Sequence, residues 1–313
     1  MHPNFNNWDE YDIKVIYEIA QHIVSPGLIE SVLEKVVWPV RYIIKKATES
    51  NIYRITQITD IIQKKISEWL ISTIKLAKSF YNEDKILNLY WDYGIRVKSL
   101  NEISVKTSLE IKDKVARAFN FENKLFLTME GIAAGVGSTL TADTAALVII
   151  TTDIGLSITL LSRQACQIAA AYGYPASAPE NILHILNSMA PIYDEKKGII
   201  PIKRVLYSEI LKAVIFLQRT STKISEEVLE KEFPALIRFI NKLAQRIGII
   251  LTEKELGILI PVIGILANGG LNFAFQQAGH RNAMDYFRYL ELCSKYGEEE
   301  VRRNLDFIIQ ELR

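Results

Sequence analysis

The sequence predicts an all-α protein, a multi-helix globular bundle with a central hairpin of apolar helices rich in small residues. Three observations predict it. Isoleucine and leucine recur at three- and four-residue steps along nearly the whole chain, and period-two alternation never persists. Hydrophobic residues make up 49% of the 313 and charged residues 23%, which suffices for a large core and excludes a disordered chain. The breaks between periodic stretches are helix punctuation, with a polar capping residue ahead and Gly or Pro behind.

The first helix is expected from Asp9, its N-cap, to Val24, with Ser25-Pro26-Gly27 as the stop. A second covers Leu28 to Trp38, and Pro39 ends it or opens the next. From Asn51 to Tyr81, Ile52, Ile55, Ile58, Ile62, Ile66, Trp69, Ile74, Ala77 and Phe80 keep the helical step, which predicts one long amphipathic helix. Asn82-Glu83-Asp84 and Asp92-Tyr93-Gly94 are read as connections, with weaker helices to about Phe119. Thr151-Thr152-Asp153 is read as the N-cap of a helix that runs to Tyr172, with Gly173 and Pro175 as its stop. Residues 190–201, which hold Pro191, Gly198 and Pro201, read as a surface loop. Further helices are expected over Ile202–Arg219 and Ser225–Gly248, with Thr252 and Glu255 at capping-box spacing and a last amphipathic pair over Arg281–Arg313. One domain, 1–313, is expected, with 1–120 as its amphipathic N-terminal part and 122–300 as its core.

Two stretches raise the question of a membrane. Residues 131–162 carry two charges, Asp143 and Asp153, among small residues, and Leu256–Phe275 carries none. A spanning helix needs about 20 mostly apolar residues. Pro261, Gly264, Asn268, Gly269, Gly270 and Asn272 interrupt the second stretch. Each aspartate in the first would cost about 2.5–3.5 kcal/mol at the centre of a bilayer. A buried hairpin is the preferred reading, with shallow insertion and true spanning as alternatives.

Net charge is +1, so no global field draws the chain to nucleic acid. Cations concentrate in one place instead. Arg41, Lys45, Lys46, Arg54, Lys64, Lys65, Lys75 and Lys78 face only Glu49, Asp60 and Glu68 over 41–78. An amphipathic helix with such a face and Trp69 in its apolar stripe can lie on an anionic membrane. The alternative is a solvated outer face over an ordinary core stripe. Nucleic acid is not expected as a partner, since no base-stacking aromatics alternate with the cations.

Chemistry-bearing motifs are scarce. Gly131 to Ser138 lacks the lysine of a phosphate loop. His2, His22, His184 and His280 form no HExxH, and no GxSxG occurs. Cys166 and Cys293 read as reduced, packed thiols. No cofactor or metal is expected. The N-terminus has no basic-then-apolar secretory pattern, so a cytoplasmic location, peripheral at the inner membrane face, is expected. Asp153 and Arg163 stand out as polar residues in an apolar setting. Ten residues along one helix are about 15 Å and about 280° net rotation, so they cannot meet on a single helix. Asp153 is read as a cap, with Asp143 or Glu130 as partners for Arg163 in a structural ion pair or a ligand-binding polar core.

Glu130-Gly131, then Asp153, Arg163, Ile168-Ala169 and Tyr172-Gly173 stand in the order and spacing of the EcsC family, which this segment resembles. Downstream, IPVIGILANGGLNFAF followed by Ala283, Tyr286-Phe287, Leu290 and Tyr296-Gly297 is similar to the family's second block. The departure is Ile150-Thr151-Thr152-Asp153, where the family has a proline before the aspartate. The family takes its name from a gene beside an ABC exporter pair, so the resemblance implies envelope or secretion-related work. The expected function is a non-enzymatic protein associated peripherally with the cytoplasmic membrane face, with an anionic membrane surface or lipid and a membrane transporter or secretion machine as partners. The alternatives are a binding protein or sensor for a lipid or other apolar ligand, and a hydrolase whose site is assembled across the fold, with His184 or His280 beside a carboxylate.

Overall fold

The structure, a computed structural model, describes residues 3, 5–25, 63–120, 142–194, 198–199, 207–220, 224, 226–258 and 261–313. Within 142–154, 248–258 and 261–275, and at 194, 198, 199, 207 and 226, it describes the backbone alone. The fold is all-α apart from one pair of two-residue strands. The helices are α1 (Glu10–Val24), α2 (63–76), α3 (Glu83–Asp92), α4 (Ile103–Lys106), α5 (109–120), α6 (Ala142–Ala171), α7 (Asn181–Ser188), α8 (Tyr207–Arg219), α9 (Glu226–Glu232), α10 (Pro234–Ile258), α11 (Pro261–Tyr296) and α12 (Glu298–Leu312).

The two longest helices, α6 and α11, pack along each other and gather the rest. α7, α3 and the 3-10 turn Ala77–Phe80 lie against α6, while α10, α12, α7 and α1 lie against α11. Glycine permits the close approach: a Cβ on Gly279 of α11 would collide with Leu161 of α6. α2 is tied into the same core. Its Ile66, Leu70 and Ile74 are buried, Thr73 and Ser162 share a 2.7 Å hydrogen bond, and Ser67 donates to Asn241 of α10 at 3.1 Å. The ends of the described chain also meet. α1 packs on α12, the Trp8 ring stacks on Tyr296 at 4.0 Å, and the Trp8 indole N–H donates to Glu300 at 2.7 Å.

Several boundaries differ from the sequence expectation, each for a local reason. α6 runs unbroken from Ala142, so Asp153 lies in its middle and caps nothing. No Gly or Pro interrupts 142–154, and the capping preference of the Thr pair alone does not end a helix. The predicted stop is where it was expected: Gly173 turns the chain at φ +88, a conformation that suits glycine. Asn82 is a cap rather than a connection, since its side chain accepts from the Lys85 N–H and Glu83 and Asp84 form the first turn of α3. Pro234 splits the expected 225–248 helix, because proline opens a helix at its first position and cannot continue one. α10 then passes straight through Thr252 and Glu255.

Within the apolar run 256–275, α10 is described to Ile258 and α11 from Pro261. Residues 193–194 and 198–199 pair as a small antiparallel ladder, Tyr193 opposite Ile199 and Asp194 opposite Gly198, where a plain loop was expected. The long helix expected over 51–81 is described only as α2 and its closing 3-10 turn, and the predicted Leu28–Trp38 helix lies outside the described residues. Among the described residues, no helix is long and apolar enough to cross a membrane.

Candidate functional site

The site grows from one face of α11. Residues 283–289 of that helix are buried nearly all round, yet Asp285, Arg288, Glu291 and Lys295 recur there at steps of three and four. Charges at that spacing share a face. Inside a fold each must find a partner, since an unpaired buried charge is strongly unfavourable.

Each does. Arg288, 2% exposed, donates from Nε and Nη2 to the Asp113 carboxylate at 2.8 and 2.5 Å. Its Nη1 lies 3.1 Å from Glu18 and 3.7 Å from Asp285. Asp113, on α5 and 1% exposed, also accepts from the Tyr11 hydroxyl at 2.8 Å and from the Tyr172 hydroxyl. Lys112, beside it and equally buried, meets Glu291 at 2.6 Å. Lys295 bridges Asp12 at 2.7 Å and Asp9, and the Tyr296 hydroxyl donates to Asp12 at 2.7 Å. Asp9 thus sits at the N-cap position of α1 but spends its carboxylate on Lys295 instead of the helix end. His22 completes the series, with Nδ1 at 2.8 Å from Asp285. An ionised carboxylate only accepts, so Nδ1 carries the proton.

The network shifts its members as burial and charge require. Burial first, and then the neighbouring Asp113, push the Tyr172 and Tyr11 hydroxyls far above an ordinary tyrosine. Burial alone would lower Arg288, but the Asp113 carboxylate, with Asp285 beyond it, overcomes that and holds the guanidinium charged. Tyr174 is raised by burial and then by Glu291.

At the Asp285 end the ladder opens into a cleft of about 680 Å³. It lies between the last turn of α1, the strand at Tyr193 and α11, and His22, Arg281, Asn282, Asp285 and Arg313 line it. Here a histidine, His22, stands beside a carboxylate, that of Asp285. His184 instead shares a 2.9 Å hydrogen bond with the Tyr286 hydroxyl, and burial lowers its pKa to about 4. Among the described residues, no serine, threonine or cysteine lines the cleft. Among the described residues no three His, Cys, Asp or Glu converge as a metal site.

The residues singled out from sequence are placed elsewhere. Glu130 lies outside the described residues, as do Arg41, Lys45, Lys46 and Arg54. Asp143 and Asp153 are on α6 with Arg163, their side chains outside the description, and Arg163 is half-buried. One continuous helix keeps Asp153 and Arg163 apart by the pitch already given. On α2, Lys64 is exposed, Lys65 pairs with Glu68 at 2.7 Å, and Lys75 is half-buried; Lys78, in the 3-10 turn that follows, is exposed. Trp69 is half-buried against Gly155 of α6. Sequence reasoning missed Asp113, Arg288, Lys112, Glu291, Asp285 and His22. The available signal was the charge sequence of α11 within an otherwise apolar and aromatic segment.

Fold and site together define an all-α protein whose first and penultimate helices are joined by a buried ionic ladder ending in a polar cleft. The chain belongs to the EcsC protein family, whose sequence pattern matches residues 14–290 and so includes the N-terminal part that the two motif blocks leave out. No curated protein and no solved structure matches the chain.

Proposed function

We propose that the protein is a non-enzymatic helical protein that associates peripherally with the cytoplasmic face of a membrane, by charge more than by insertion, and there assists a transporter or secretion machine. The carrying observation is the division of labour on α2 and the turn that closes it. Ile66, Leu70 and Ile74 are consumed by the core, while Lys64 and Lys78 remain exposed at its two ends. An apolar stripe already packed in the fold is not free to enter acyl chains. What is left to meet an anionic surface is the cationic edge of a segment with five net positive charges over 41–78. The cleft lining, mostly polar and among the described residues without a serine, threonine or cysteine, lends no support to an apolar ligand there or to a hydrolase acting through such a nucleophile.

Co-sedimentation with vesicles tests the reading. Binding is expected to vesicles containing phosphatidylserine and not to pure phosphatidylcholine, and to fall as salt rises. Each exposed lysine near the surface contributes about 1 kcal/mol, so Lys64→Ala and Lys78→Ala are each expected to weaken binding roughly fivefold. Absence of binding to both vesicle types refutes the proposal.

A further inference from the structure

We propose that the cleft beside His22 and Asp285 binds a small phosphate-bearing anion whose organic part is of glycerol or sugar size. The size comes from the cavity. About 680 Å³ lies within the roughly 300–1,000 Å³ of ordinary small-molecule sites and exceeds what a bare phosphate needs.

The sign comes from the donors. Arg281 and Arg313 bring two guanidinium groups, whose planar forks match phosphate oxygens, and Asn282 brings an amide. Among the described residues Asp285 is the one acidic side chain in the lining, and its oxygens already serve His22 at 2.8 Å and Arg288 at 3.7 Å. The last turn of α1 opposes an anion as well, with roughly half a negative charge at its C-terminal end. Two full guanidinium charges outweigh that end and the Asp285 carboxylate together, so the cleft favours an anion.

One further feature fits. Asp285 fixes His22 through Nδ1, which sets the ring's orientation at the cleft wall. Arg313 is exposed and holds its place by donating to the Tyr193 hydroxyl at 3.1 Å and lying over that ring. It can therefore be changed without disturbing the core.

The test is isothermal titration of the full chain with sn-glycerol 3-phosphate and with inorganic phosphate, alongside capture by vesicles of phosphatidic acid and of phosphatidylcholine. Saturable binding of glycerol 3-phosphate is expected, tighter than inorganic phosphate. Loss of a charge-assisted hydrogen bond should weaken it about ten- to a hundredfold in Arg281→Met and in Arg313→Ala. Thermal melts report whether Arg281→Met still folds, and Arg313→Ala carries the test if it does not. Capture by phosphatidic acid alone, lost in Arg313→Ala, supports the same site with a lipid headgroup as the source. Binding of neither soluble phosphate nor phosphatidic acid, or binding unchanged in both variants, overturns the proposal. Lys64→Ala separates this site from the membrane-surface reading, because it should leave glycerol 3-phosphate binding intact.

Discussion

Replacing Arg288 with methionine should destabilise the fold by about 3–5 kcal/mol, the range for removing one partner of a buried ion pair. Methionine has nearly the length of the arginine stem, so the packing part of the loss stays under about 1.5 kcal/mol. The rest is electrostatic. Asp113 would keep its hydrogen bonds from Tyr11 and Tyr172 but lose both guanidinium contacts, at 2.8 and 2.5 Å, in a place that is 1% exposed to water. Glu18 and Asp285 would lose a shared cation at 3.1 and 3.7 Å. Urea unfolding followed by circular dichroism reads the change, and the melting temperature should fall by roughly 5–10 °C. The decisive measurement is the double variant. Asp113→Asn removes the stranded charge, so Arg288→Met with Asp113→Asn should be more stable than Arg288→Met alone. A loss below about 1 kcal/mol, or no rescue by Asp113→Asn, would refute the account of a buried pair held by mutual neutralisation.

Two other changes follow from the packing. Burial lowers His184 from the usual 6.5 to about 4, so the folded state resists its protonation. Its contribution is complete above the unfolded value and is lost as pH falls from about 6.5 through about 4, a loss of up to a few kcal/mol. His184→Gln should flatten the stability profile across that window, and an unchanged slope would show that other groups govern it. Gly155→Ala would place a Cβ 2.7 Å from the Trp69 ring, so it should destabilise by about 1–3 kcal/mol in denaturant melts. Adding Trp69→Leu should recover part of that loss, and a neutral Gly155→Ala would mean that the ring moves aside freely.

Local signals were legible where the chain itself supplies the physics. The stop of α1 at Ser25, the end of α6 at Gly173 and the helical character of nearly every element follow from periodicity and punctuation. The start of α6 was not legible, because a Thr-Thr-Asp run reads as a cap unless tertiary contacts hold the helix through it. The site was the least legible part. Asp113 and Arg288 are 175 residues apart, and Lys112 and Glu291 are 179 apart. Nothing in either local pattern names the partner. Asp285, Arg288, Glu291 and Lys295 could have been flagged, since charges on a helix that is apolar on its other faces imply burial with partners. The choice of Asp153 and Arg163 rested on their polarity in an apolar setting and on resemblance, and one unbroken helix separates them.

The ladder also explains why these helices meet in one register. α1 and α11 run antiparallel, with Asp12 beside Lys295, Glu18 beside Arg288 and His22 beside Asp285. As the first number climbs, its partner falls by a matching step. An apolar seam alone would tolerate a slip of one turn, since Val15, Ile16 and Ile19 are near equivalents in shape. The charges do not. A slip of four residues one way sets Asp12 against Glu291, a pair of like sign, and Glu18 against Met284. A slip of four the other way sets Glu18 against Leu292 and His22 against Tyr289, and the buried cation of Arg288 loses Glu18. Either error forfeits contacts of which each buried pair is worth about 3–5 kcal/mol when broken. That exceeds what sliding the aliphatic contacts would change. Since Asp285 is at once the last rung and the carboxylate of the cleft, the same register that aligns the helices fixes where His22 and Arg281 stand around it.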